Sequence, residues 1–244
     1  ETGTLASTIA MSGGTLDSDE SSTVSGALSH TADITIDVTT GKTLTYSGAA
    51  ISIGANTITL SGGGTFSNVN KLVLSDPVST LKLDGISTVA NVSVPVALST
   101  GKLDVDQNSV IQSFLHSGSS RVDILTGKNL SVTNGFEIPQ NKSMELIGAD
   151  GTLTLSDNLT LAGTLKFAVS GVLNSGTLYL NGGILDVDGN ITISSNLAHS
   201  ADSSIDISTG KSINYTGQEF NVEDLVLTLT GGGIFSNTEN LTLN

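Results

Sequence analysis

Apolar residues along this chain come in pairs separated by one polar position. Ile34/Ile36, Leu44/Tyr46, Ile51/Ile53, Ile58/Leu60, Leu72/Leu74 and Leu81/Leu83 are examples from the first third. Leu153/Leu155, Leu159/Leu161, Leu165/Phe167, Leu178/Leu180, Leu185/Val187 and Ile191/Ile193 continue the pattern later. A period of two is the mark of a strand with one buried face. The strands it predicts are short, and Gly, Asn, Asp or Ser falls between them, where corners need positive φ or a side chain that bonds its own backbone.

A longer period lies above this one. Residues 11–75 laid on 180–244 match at 28 of 65 positions without a gap. Gly13-Gly14-Thr15-Leu16-Asp17-Ser18-Asp19 meets Gly182-Gly183-Ile184-Leu185-Asp186-Val187-Asp188, and Thr40-Gly41-Lys42 meets Thr209-Gly210-Lys211. A diverged copy lies between them, with Gly101-Lys102-Leu103-Asp104-Val105-Asp106 and Thr126-Gly127-Lys128. The unit is therefore about 84 residues, and there are about three.

Two architectures suit short strands at this spacing. One is a row of β-sandwich domains. The other, which the pattern favours, is a right-handed parallel β-helix (β-solenoid) of about 11–12 coils. Three short strands and three turns would make a coil of about 20 residues, with aliphatic side chains stacked inside. The aromatic content of 4% supports the solenoid, because sandwich cores usually hold a few large rings. Residues 4–244 then form one continuous solenoid, truncated at both ends. Glu1-Thr2-Gly3 reads as the remnant of a secretion vector.

Gly176-Thr177-Leu178-Tyr179-Leu180-Asn181-Gly182-Gly183 and Thr59-Leu60-Ser61-Gly62-Gly63-Gly64-Thr65-Phe66-Ser67-Asn68 resemble repeats of large bacterial surface proteins. Autotransporter passengers and filamentous-haemagglutinin-like adhesins are similar. The resemblance implies a right-handed β-helix in a secreted or cell-surface protein that acts as adhesin or stalk. A host, cell-surface or matrix glycan or protein would be its partner.

Charge narrows the partners further. The formal charge is −14, from 23 acids against 9 bases. Such a surface repels phosphate backbones, so nucleic acid is not an expected partner. No apolar run is long enough for a membrane-spanning helix. The absence of cysteine removes disulfides and thiolate chemistry. A monomer is expected.

Candidate chemistry is sparse. His30, His116 and His199 occupy the same place in each unit, so about 19 Å would separate neighbours and no metal could join them. They are expected at corners, and His116 is expected to matter far less to stability than an inward Leu. The pairs Asp17/Asp19, Asp104/Asp106 and Asp186/Asp188 place two carboxylates on the outer face of a strand. A solvated outer face is the expected reading; a calcium site or an acid–base pair are the other chemistries such pairs permit. Thr-Gly-Lys at 40–42, 100–102, 126–128 and 209–211 reads as a turn, and the triple glycines at 62–64 and 231–233 as tight corners or bulges. Outward threonines such as Thr35, Thr43, Thr45, Thr57 and Thr59 could line up in rows, the arrangement of an ice-binding face. Asn91, Asn129, Asn141, Asn158, Asn190, Asn214 and Asn240 are glycosylation sequons for a secreted chain.

No catalytic residue or cofactor is expected. Polysaccharide-active enzymes also use β-helices, but they gather acids and bases in one groove that breaks the repeat. Here Arg121 is the single arginine, and the charged residues are expected to follow the repeat.

Overall fold

The computed structural model describes residues 3–68, 70–91, 96–222, 224–237 and 241–243. Of the sequons, Asn240 lies outside this set. The described residues are all-β, with 35 short strands and no helix. All the strand pairings are parallel, which rules out the tandem-sandwich alternative, whose sheets are antiparallel. The chain is a β-solenoid of about eleven turns.

Each coil lays down three strands in order, so three faces run along the molecule. Face 1 is a 12-stranded sheet that starts with Gly3–Leu5, and face 3 an 11-stranded sheet that starts with Thr15–Ser18. Gly3 thus belongs to a strand, paired with Ser22. Face 2, between them, is divided into ladders of two, four, four and two strands. The coil varies in length: 19 residues separate Gly3 from its neighbour Ser22, and 23 separate Phe66 from Val89.

The interior is a column of aliphatic side chains. On face 3 the inward row Ile36, Leu60, Leu83, Val105 and Ile124 is register-matched and buried at every step. On face 1 Leu44, Phe66, Val89, Ile111 and Val132 do the same. Each side chain packs on its neighbours about 4.8 Å above and below, so every coil is the lid of the one before.

Tight corners let the coils stack. Gly62 and Gly231 both have φ +91°, a left-handed conformation that side chains disfavour. A Cβ at these sites would lie 2.4 Å from the Val38 carbonyl oxygen and 2.2 Å from that of Ile207. The triple glycines are therefore corners pressed onto the preceding coil. Thr-Gly-Lys closes a turn at three places, with the Lys42, Lys128 and Lys211 N–H groups donating to Thr39, Leu125 and Ser208 carbonyls.

Hydrogen-bond register and sequence repeat do not coincide. Leu16 leads through Ile36, Leu60 and Leu83 to Val105, two residues beyond its repeat counterpart Leu103. Leu103 leads through Val122, Leu146 and Phe167 to Val187, two beyond Leu185. Each unit therefore slides about 7 Å along the strand while it climbs about 19 Å. Equivalent residues of successive units follow a slanted line.

Candidate functional site: the charged groove of face 3

Alternate residues of face 3 point outward. In the first coils these are threonines: Thr15, Thr35 and Thr59 form one row, and Thr57 and Thr80 begin another. The first row ends at Lys82 and the second at Lys102. Thr43 and Thr45 lie on face 1, where Thr43, Thr65 and Thr88 lead to Val110. The five expected threonines thus fall on two faces, in rows of two or three.

The aspartate pairs face outward as expected, and their surroundings differ by unit. Lys82 Nζ lies 2.7 Å from Asp106, and Lys102 Nζ lies 3.0 Å from Asp104 and 3.6 Å from Asp123. Lys166 Nζ lies 2.8 Å from Asp188 and 3.4 Å from Asp186. Hydrogen bonds to Asp106 and Asp188 raise the Lys82 and Lys166 ammonium groups above their ordinary range, and Lys166 holds the Asp188 carboxyl below its own. In the first unit Asp19 accepts from the Thr39 hydroxyl at 3.0 Å, and Asp17 stands beside Asp37. The slanted register puts Asp17, Asp104 and Asp186 on three different outward rows. Among the described residues no three His, Cys, Asp or Glu side chains converge as a metal-holding group.

The histidines lie on face 2, in strands four coils apart. His30 makes contacts with the Ala32 and Ser52 carbonyl oxygens. His116, expected at a turn or corner, ends the strand Phe114–His116, with its side chain turned inward and only 3% exposed. Its Nε2 lies 3.1 Å from Ser120 Oγ. Burial pushes it down to about 4, and its Nδ1 is enclosed without a hydrogen-bond partner.

Ser120 and Ser143 also line a groove of about 420 Å³ on face 3, along with Thr100, Arg121, Glu145 and Lys166. Lys102, Arg121, Glu145 and Lys166 are register neighbours, one per coil. This corrects the expectation that charged residues follow the repeat. The sequence counterparts of Arg121 are Thr35 and Ser204, and those of Glu145 are Thr59 and Thr228. The row continues into the third unit as Asp186 and Asp206, but only the middle unit puts an arginine and a glutamate in it. Sequence reading missed it because Arg121 and Glu145 are 24 residues apart, a separation that only the register makes adjacent.

The pairing of Ser120 with His116 has the geometry of a nucleophile and its base. Both side chains are enclosed, however, and no carboxylate orients Nδ1. The Ser120 hydroxyl is held against His116 in a buried contact. What faces the groove is a guanidinium, a carboxylate, an ammonium and several hydroxyl-bearing residues.

No family model, curated protein or solved structure matches the chain.

Proposed function

We propose that this chain is a rigid, non-enzymatic repeat segment of a larger secreted or cell-surface bacterial protein. It acts as a stalk with a lateral binding face. The observation that carries this reading is the continuous apolar column of buried residues from Val24 to Val222. A column in which each coil packs only on its neighbours resists bending, because a bend would open cavities on one side. The extracellular setting and the glycan or protein partner rest on the resemblance of the glycine-rich repeats to surface adhesins. A monomer is the working unit, and the acidic surface supports solubility and disfavours nucleic acid.

The non-enzymatic reading is supported by the carboxylates. Glycoside hydrolysis uses two, set on either side of the scissile bond. Glu145 is the single carboxylate that lines the groove, and the nearby aspartates are held by lysines.

Two measurements test the proposal. Small-angle scattering should report a rod with a stacked length of about 50 Å for eleven coils. Incubation with neutral and acidic polysaccharides should release no new reducing ends. A globular scattering profile, or steady release of ends, would overturn the reading.

A further inference from the structure

The groove in the middle unit calls for a ligand with particular chemistry. Lys102 and Lys166 are committed to aspartates. Arg121 and Glu145 are not: among the described residues neither side chain makes an ion pair or hydrogen bond. They are nonetheless register neighbours, about 4.8 Å apart along the solenoid. Opposite charges that adjacent and that uncommitted leave both available to a third party.

Each prescribes part of that party. A guanidinium presents a planar fork of donors that matches a carboxylate with two parallel hydrogen bonds. A carboxylate one coil away only accepts, so the same ligand must carry donors next to its anionic group. The walls add hydroxyl-bearing residues, Ser119, Ser143 and Thr164, and one apolar flank, Pro77. The Thr100 hydroxyl oxygen, also in the wall, is enclosed and has no partner. Any anion that meets the arginine is also repelled by Glu145; inorganic phosphate, largely doubly charged at neutral pH, is repelled more than a carboxylate and brings few donors to offset it. A sugar acid supplies a carboxylate, adjacent hydroxyl donors and an apolar ring face at once. The volume of about 420 Å³ is within the range of small-molecule sites. The net charge of −14 does not forbid such a ligand, because charges farther away than about 8 Å are largely screened at physiological salt.

We propose that this groove binds a carboxylate-bearing saccharide, with Arg121 gripping the carboxylate and Glu145 accepting from neighbouring hydroxyls. The proposal rests on reading face 3 as a lateral binding surface and names what it binds.

The test is titration of the whole chain with trigalacturonate, a hyaluronan tetrasaccharide, neutral cellotriose and glycylglycine, read by calorimetry and by amide shifts in NMR. At least one acidic sugar should bind and move the amides of Arg121 and Glu145, while cellotriose binds far more weakly. Arg121→Gln should weaken binding at least about tenfold, as expected for a lost charge-assisted hydrogen bond. Glu145→Gln should weaken it less, and neither change should alter the melting temperature. The proposal is overturned if neither acidic sugar binds by about 10 mM, a limit already weaker than −4 kcal/mol. It is equally overturned if cellotriose or glycylglycine binds as well as the acids, or if Arg121→Gln has no effect. Failure of the stalk reading is distinguishable: released reducing ends would refute that while leaving acid-dependent binding in place.

Discussion

Tyr46 and Tyr215, in the first and third units, do the same work. The Leu28 and Leu197 N–H groups donate to their phenolic oxygens at 2.9 and 3.1 Å in the buried interior. The same two units share other devices. Asp33 and Asp202 accept from the Thr57 and Val226 N–H groups one coil on. Thr39 and Ser208 donate to Asp19 and Asp188. The middle unit differs. Val132 stands in the tyrosine position, and Gly148-Ala149-Asp150-Gly151 replaces the triple glycine, with Asp150 at φ 55°. It also buries a histidine and carries the Arg121–Glu145 row. Outward side chains fasten one coil to the next in every unit, in the middle one through Lys102 with Asp123 and Lys128 with Gln107. The middle unit, held by the same core, alone sets a guanidinium beside a carboxylate along a groove. Diverged residues in a repeat array point to a role that the array alone does not require.

The sharpest way to break this comparison is through the core that both regions share. Leu83 in the first unit and Leu180 at the start of the third are fully buried. Replacing either by Ala should cost about 2–5 kcal/mol in denaturant unfolding, and a loss confined to one region would deny the common column.

His116 tests the middle unit alone. Its folded value of about 4 lies below the ordinary 6.5, so the native state favours the neutral ring. Its stability contribution is complete above 6.5 and falls away as pH drops toward 4, by about 3 kcal/mol in all. His116→Leu should flatten the unfolding free energy measured between those pH values. A slope that persists in the variant would place its origin in the carboxylates.

A smaller effect is expected in the outer units. Tyr215→Phe or Tyr46→Phe strands a buried N–H and should lower stability by about 1–3 kcal/mol, as judged by chemical denaturation. No matching loss is expected from Val132 replaced by Ile, because no hydrogen bond is made there. Smallest of all is the ion cluster. Lys166→Met should change stability by less than about 1 kcal/mol, since exposed ion pairs contribute little. Addition of chelator should leave the melting curve of the wild-type chain unmoved if lysines, and not a cation, neutralise the aspartate pairs.

Much of the fold was legible before any coordinates. Period-two pairs such as Leu81/Leu83 mark strands because alternate side chains face opposite ways, whatever the sheet. The match of residues 11–75 to 180–244 marks the repeat, and its recurring glycines mark corners, because few residues tolerate those dihedrals or that crowding. The separation of the three histidines followed from the repeat alone.

The groove was not legible, and neither was the burial of His116. Both depend on which residues become neighbours across coils. That separation is 19 residues from Lys102 to Arg121, 24 from Arg121 to Glu145 and 21 from Glu145 to Lys166. Local pattern determines strand, corner and inward face, because these are properties of a few consecutive residues. Lateral neighbours are decided by the length of each turn and by the two-residue slide per unit. Packing of the whole column sets those, and no single coil encodes them.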